Sequence, residues 1–291
     1  MLNNWRIGRP FGIDLYISSW FWLLPIIVFV TSFADGGLGD AATNTAFALA
    51  VFVCVALHEL GHALAARGYG IRTRDITLYP IGGVARLERM PEKPSAEIVI
   101  ALAGPAVNVV LAFLLGGVWL AGHSAVESMG TAATWGSDFV GRLALANVVL
   151  AVFNMIPAFP MDGGRVLRAF LCWFTNRVTA TTIAGVVGAV CAVLIGLFGL
   201  GLFGGSFNPL LVFLAVSVFL MGQQEVRMVR VQAEEERRRR EWEEGQAGWD
   251  DDDPRWDRGG RAGGDGWVYD ARTGEWIEYR DGWPTGRFRR Y

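Results

Sequence analysis

Cysteine is scarce in this chain, with three among 291 residues, and this limits the sites that the chain can build. Cys54, Cys172 and Cys191 stand singly in apolar segments, and none belongs to a Cys-x-x-Cys pair. The pattern therefore suggests neither a thiolate zinc site nor a disulfide framework. We interpret the three thiols as small apolar groups that pack in protein or lipid.

Histidine is equally scarce, but two of the three histidines lie close together in His58-Glu59-Leu60-Gly61-His62, an H-E-x-x-H motif. Residues four apart share one face of a helix, so both imidazoles can bind one metal ion. Glu59 lies beside them, where it can take a proton from a water that the metal activates. The alternative is a pair of capping or packing histidines at a membrane edge.

Excess charge is absent as well, since the net charge is −2, but this average combines two different regions. Residues 1–224 carry 12 of the 26 Lys and Arg and 11 of the 28 Asp and Glu, and residues 225–291 carry the rest. We predict an intramembrane domain over 1–224 and a charged tail over 225–291. The net charge identifies no partner, and no nucleic-acid partner is expected.

Long apolar runs are plentiful, and the run over residues 46–67 is long enough to cross a bilayer as a helix. They predict an all-α polytopic membrane protein with about six transmembrane helices. The runs cover residues 18–33, 46–67, 96–120, 139–156, about 180–202 and 207–222. The first has a second interpretation as a signal peptide, because Ser32-Phe33-Ala34 resembles a cleavage site.

The segments between the spans predict smaller elements. Residues 71–79 alternate like a strand, a Pro-Gly turn follows, and residues 84–87 return, which indicates a β-hairpin or small sheet at the membrane surface. Residues 121–138 read as a polar loop. The pattern of residues 166–177 predicts an amphipathic helix, with Arg165, Arg168 and Arg177 towards water.

Basic residues are almost missing from one side of this topology. Six spans place both termini on one side, and the predicted loops of the other side hold no Lys or Arg; Arg142, just inside the fourth span, is the single exception. This asymmetry predicts cytosolic termini, a cytosolic hairpin and a multi-pass protein of the inner or plasma membrane.

A catalytic zinc site needs a third protein ligand besides His58 and His62, and one open position. The third histidine, His123, falls in a predicted external loop, so the remaining ligand is an Asp or Glu. Asp162 is the carboxylate at the cytosolic end of a strongly apolar span. The alternative is that residues 160–164 are only a turn, although a turn would also return a carboxylate to a metal.

The chain resembles the site-2 protease family of intramembrane zinc metalloproteases, in the compact six-span prokaryotic form without a PDZ or CBS domain. The resemblance covers about residues 1–222. It rests on the H-E-x-x-H motif, on Gly104-Pro105-Ala106-Val107-Asn108, and on residues 154–163, which fit the family's N-x-x-P-x-x-P-x-D-G pattern.

The resemblance implies an enzyme that hydrolyses peptide bonds in or near transmembrane segments of single-span membrane proteins, as in regulated intramembrane proteolysis. It implies one zinc ion per chain on His58, His62 and Asp162, with Glu59 as general base. Asn154 would bind the substrate backbone or the developing oxyanion. The substrate would unwind and pair with a sheet edge, for which the hairpin at 71–89 is our candidate.

The sequence leaves two other classes of function open. A catalytically silent membrane scaffold could recruit partners through the tail, but such a protein has no need of the base Glu59. A metal or ion transporter would carry polar residues along several spans, whereas here they gather at one end.

The tail is charged yet rich in tryptophan. A solvated helical run covers residues 225–244, and an acidic block covers 250–253, so we expect a mostly disordered tail. Residues 267–279 predict a small β-hairpin. We expect it to dock on a cytosolic protein partner or on the chain's own membrane domain, with Trp267, Trp276 and Trp283 as anchors.

Overall fold

The computed structural model describes residues 4–80, 82–91, 93–127, 134–203 and 206–247, and the tail segments 256–257, 261–262, 266–270, 275–280 and 283–288. The chain divides into two compact units, residues 1–230 and 231–291. The prediction of a mainly helical protein is confirmed. The helices of the described residues are α1 (Leu23–Gly68), α2 (Pro94–Glu127), α3 (Thr134–Asn154), α4 (Asp162–Leu171), α5 (Arg177–Gly199) and α6 (Pro209–Ala247).

Four helices of the described residues, rather than six, are long and apolar enough to cross a membrane. They lie within Ser19–Gly68, Pro94–Gly122, Arg177–Gly199 and Pro209–Glu243. The first two predicted spans both fall in α1, where Gly37 interrupts the helical conformation with φ +79°, a value that suits glycine. The predicted fourth span coincides with α3, whose Asp138, Arg142 and Asn147 reduce its apolar character.

The predicted polar loop at 121–138 is wrong over most of its length. Helix α2 continues to Glu127 and α3 begins at Thr134, while residues 128–133 lie outside the described residues. Good helix formers in this stretch, such as Ala121 and Ala125, allow the helix to extend. The backbone of His123 therefore belongs to α2 and not to a loop.

A four-stranded sheet packs against α1. It consists of β1 (Asn4–Gly8), β2 (Asp14–Ser18), β3 (Thr73–Tyr79) and β4 (Gly82–Leu87), in that order, with β2 and β3 parallel and the other pairs antiparallel. The predicted hairpin is thus β3–β4, and the N-terminal segment adds two strands. Ile13 and Ile76 pack with Leu60 and Ala63 of α1, so the sheet lies against the helix that carries the H-E-x-x-H motif.

The predicted amphipathic helix over 166–177 differs from the structure, because α4 ends at Leu171 and Arg177 begins α5, and the prediction that Arg168 faces water is wrong. Arg168 is fully buried, and its side chain donates to Glu97 of α2 and to Glu225 of α6. The distances are 2.9 Å from Nε to Glu97 Oε1 and 2.6 Å from Nη1 to Glu225 Oε1. Burial alone would lower the pKa of the Arg168 guanidinium, but the two carboxylates outweigh it and raise that pKa above its usual value. We call these three residues the arginine cluster.

The charged run of the tail continues α6 without a break to Ala247, as the predicted helix over 225–244 requires. In the second unit β5 (Trp256–Asp257) pairs with β6 (Arg261–Ala262). A separate three-stranded antiparallel sheet contains β7 (Gly266–Asp270), β8 (Glu275–Arg280) and β9 (Trp283–Phe288). The first two strands of this sheet cover the predicted hairpin. The acidic block 250–253 and the side chain of Trp283 lie outside the described part of the chain.

Candidate metal centre

Helices α1 and α4 bring together the two histidines and the aspartate that the sequence indicated. His58, His62 and Asp162 are all buried, with exposures of 5–6%. The Nε2 atoms of the histidines lie 3.0 Å apart, and Asp162 Oδ2 lies 3.2 Å from Nε2 of His58 and 3.1 Å from Nε2 of His62. These three atoms form a triangle that could hold one metal ion.

The segment 155–161 turns the chain back and so delivers Asp162. Tight backbone bonds shape it: the Ala158 N–H donates to the Ile156 carbonyl at 2.7 Å, and the Met161 N–H donates to the Ala158 carbonyl at 2.9 Å. Ala158 and Met161 are buried against α5 and α6. The turn and ligand interpretations of this segment are therefore compatible, since the turn carries the carboxylate to the histidines.

The contacts of the two Nδ1 atoms indicate which nitrogen of each imidazole carries the hydrogen. Nδ1 of His62 is 2.7 Å from the Ile100 carbonyl, which can only accept, so Nδ1 carries the hydrogen and Nε2 presents a lone pair. Nδ1 of His58 is 2.5 Å from Oδ1 of Asn108, so it donates to that oxygen in this orientation of the amide. Both Nε2 lone pairs therefore point into the triangle.

Three hydrogen-bond acceptors thus face each other in a buried place, and we call them the acceptor triangle. Such groups repel each other and are costly to bury unless a cation lies between them. Zinc suits this set, because it takes His nitrogen and Asp oxygen at about 2.0–2.2 Å, which separates neighbouring tetrahedral ligands by about 3.4 Å. Two histidines and one carboxylate leave the fourth position open, as catalytic zinc sites do.

Gly104 of α2 leaves the space that an ion would need. A Cβ at this position would lie 2.7 Å from Nε2 of His58 and 2.5 Å from Cε1 of His62, and nearer still to Nε2 of His62. Any side chain here would press on the acceptor triangle. The glycine of the Gly104–Asn108 motif therefore has a steric reason, which fits a metal at this point.

Glu59 belongs to α1, and its side chain faces β4. Its side chain is half-buried and accepts a hydrogen bond from the Ala85 N–H of β4. A Cβ on Gly83 would come within 2.5 Å of Glu59 Cγ, so the strand approaches this carboxylate closely because residue 83 is glycine. A candidate base is thus held next to the histidines and beside the sheet.

Asn154 ends α3 and is half-buried, and its amide N–H donates to the Leu150 carbonyl at 3.0 Å. It is not part of the metal-binding group, and its role remains a prediction. Two features of the structure were not predicted from the sequence: the contacts of Asn147 and the burial of Arg168. A signal for Asn147 existed, because a polar side chain within an apolar span is costly and marks function by default.

Comparisons with known proteins agree with this centre. The model of peptidase family M50 matches residues 46–198. The zinc metalloprotease MJ0392 of Methanocaldococcus jannaschii is 34% identical over 227 residues, which cover 78% of this chain and 62% of the relative. The Synechocystis protein sll0528, whose name also contains zinc metalloprotease, is 36% identical over 196 residues, which cover 65% of this chain and 50% of the relative.

A solved structure, the site-2 protease from Methanocaldococcus jannaschii, superposes with a TM-score of 0.55 at 31% identity, over 77% of this chain and 95% of that chain. This chain belongs to peptidase family M50, a family of membrane-embedded zinc metalloproteases, and it is a multi-pass membrane protein. It spans 50–62% of the length of the first curated relatives that it matches.

Proposed function

We propose that this chain is an intramembrane zinc metalloprotease that hydrolyses peptide bonds in or near the transmembrane segments of single-span membrane proteins. One observation carries the proposal. Two members of the buried acceptor triangle, His58 and His62, and the adjacent Glu59 belong to a helix that is apolar enough to cross a membrane. Ionisable groups at such a depth are costly and mark function.

The residues of the site have separate roles in hydrolysis. His58, His62 and Asp162 would hold one zinc ion, which supplies Lewis acidity to a water and to the scissile carbonyl. Glu59 takes the proton from the attacking water and returns it to the leaving amine. Asn154 binds the substrate backbone or the developing oxyanion.

The substrate binds as a strand on β4. A helix shields its carbonyls and occupies its amides, so the substrate must unwind before it can be cut. β4 pairs with β3 on one side and, among the described residues, has no partner strand on the other. A strand added there would lie beside Glu59, because the Ala85 N–H of β4 already points at that carboxylate.

The chain lies in the inner or plasma membrane with its termini, β3–β4 and the segment 157–179, which includes α4, on the cytosolic side. The support is the distribution of Lys and Arg. In a variant without Cys54, Cys172 and Cys191, a cysteine introduced at Thr73 should react with an impermeant thiol reagent only after the cells are opened. Labelling of that cysteine from outside intact cells would overturn this topology.

The proposed function is tested with the full-length protein, purified in detergent, and a single-span substrate. Metal analysis should give one zinc per chain. Cleavage should stop on chelation and return when zinc is added back, and mass spectrometry should locate the cut in or near the substrate's transmembrane segment. Cleavage that survives complete removal of zinc would contradict the proposal.

A further inference from the structure

Two buried asparagines connect His58 to a backbone carbonyl of α3. Asn108 and Asn147 are fully buried. The Asn108 amide donates to Oδ1 of Asn147 at 2.8 Å, and the Asn147 amide donates to the Leu143 carbonyl at 2.9 Å and to Cys54 Sγ at 3.3 Å. The chain of contacts from Leu143 through Asn147 and Asn108 to His58 is the asparagine relay.

The orientation of every group in the relay follows from its far end. The Leu143 carbonyl can only accept, so the NH₂ of Asn147 must face it and Oδ1 of Asn147 must face Asn108. The NH₂ of Asn108 then faces Asn147, which leaves Oδ1 of Asn108 towards His58. His58 must therefore donate from Nδ1, and its Nε2 lone pair remains in the acceptor triangle.

We propose that Asn147 is a positioning residue of the metal centre, which acts through Asn108 to hold His58 in the tautomer that can bind zinc. The proposal rests on the metal site of the proposed function. Neighbours of ligating histidines commonly fix tautomer and ring orientation in this way.

His62 provides the contrast within the same site. Its Nδ1 donates directly to the Ile100 carbonyl, which cannot reverse its polarity. Asn108, by comparison, is an amide that can turn over and present NH₂ to His58. In the turned state His58 would carry its hydrogen on Nε2 and lose its lone pair towards zinc, and Asn147 is the group that prevents this.

The main variant is Asn147→Leu, which keeps the branching of the side chain at Cγ and removes the acceptor for Asn108. The zinc affinity of the full-length protein, measured by competition with a chelating dye, should fall about 10–100-fold. A second readout is the nitrogen NMR spectrum of the metal-free protein with ¹⁵N-labelled histidine. The chain has three histidines, so few signals overlap. His58 should shift towards the Nε2–H tautomer, and His62 should not.

A second variant, Asn147→Asp, separates positioning from packing. Its carboxylate still accepts from Asn108, so His58 should stay protonated at Nδ1 and zinc affinity should fall less than in Asn147→Leu. A role in packing alone predicts an unchanged His58 tautomer in both variants, because packing does not select which ring nitrogen carries the hydrogen. Cys54→Ala is the control: Asn147 keeps its bonds to Leu143 and Asn108, so tautomer and affinity should not change.

Unchanged zinc affinity together with an unchanged His58 tautomer in Asn147→Leu would overturn the relay. So would a fall in zinc affinity in Asn147→Leu without any change in the His58 tautomer. Failure of the wild-type protein to bind zinc would instead contradict the proposed function. In that case the tautomer measurement, made without metal, would still decide whether the relay acts on His58.

Discussion

Two buried polar clusters of this protein differ in how their donors and acceptors are paired. In the arginine cluster, the guanidinium of Arg168 donates to the carboxylates of Glu97 and Glu225. Arg177 lies 3.7 Å from the second oxygen of Glu97, so two cations face the two carboxylates. In the acceptor triangle, two imidazole lone pairs and one carboxylate oxygen converge with no donor among them. The first cluster is complete as it stands, whereas the second needs a cation.

The difference separates a structural role from a chemical one. The arginine cluster joins α4, which begins at the proposed ligand Asp162, to α2 and α6, so it holds that helix in place from outside the acceptor triangle. The acceptor triangle keeps its polar atoms unsatisfied, which costs stability unless a metal is bound. Variants that convert one kind of cluster into the other should therefore test both roles.

The largest effect is expected for Glu59→Gln, which removes the base but leaves the acceptor triangle intact. Proteolysis should fall on the order of 10³-fold, the usual range for loss of a general base, while zinc content stays at one per chain. The measurement is turnover of a single-span substrate beside metal analysis. Glu88→Gln removes an equal charge at an exposed position and is the control. Full cleavage by Glu59→Gln would refute the assigned role.

Asp162→Asn should turn the acceptor triangle into a cluster of matched donors and acceptors. The new amide can donate to an imidazole lone pair, so the metal-free protein should become more stable to heat than metal-free wild type. Zinc affinity should fall by more than about 100-fold, since the change removes a direct ligand rather than a neighbour of one. Calorimetry without metal and dye competition with metal test both halves. Full zinc content with undiminished activity would show that another residue is the ligand.

Gly104→Ala should block the triangle by volume alone. The added methyl group would lie 2.7 Å from Nε2 of His58, so we expect loss of bound zinc and of activity in a protein that still folds. Gly116→Ala is the matched control on the same helix, because a Cβ there meets nothing within 4 Å. Normal zinc binding by Gly104→Ala would mean that the ion lies elsewhere.

Arg168→Met should leave the buried carboxylate of Glu97 with only its longer ion pair to Arg177, at 3.7 Å, and should leave the half-buried Glu225 without this partner. We expect a loss of about 3–5 kcal/mol in stability, as is typical when one partner of a buried ion pair is removed. Adding Glu97→Gln in the same chain should recover part of it. Arg239→Met, which breaks an exposed pair with Glu243, is the control and should have little effect. Equal unfolding temperatures for Arg168→Met and wild type would remove the structural role of this cluster.

Sequence reasoning reached those features of the site that depend on local spacing. The four-residue interval between His58 and His62 indicates a shared helix face, and Asp162 stands out as a carboxylate after a long apolar run. Arg168 was placed in water because a charged residue in a short helix usually lies there, and its partners are 71 and 57 residues away. Asn147 contacts groups 93 and 39 residues away. Such pairings arise from the packing of distant helices, which a periodicity within one helix does not report.

The smallest effect is expected from removal of residues 241–291. The contacts that the structure describes within the acceptor triangle, the asparagine relay and the arginine cluster all involve residues up to Glu225, so the truncated chain keeps each of them. Turnover of a generic transmembrane substrate in detergent should therefore stay within about twofold of the full-length protein.

In cells the same truncation should change activity or substrate choice. Trp267 and Trp276 are 52% and 42% exposed, and exposed tryptophans are frequent anchors of docking surfaces for a cytosolic partner. Both proteins are compared side by side in detergent and in cells, with zinc content measured in each. Complete loss of detergent activity in a folded, zinc-loaded truncation would show that the tail belongs to the catalytic unit.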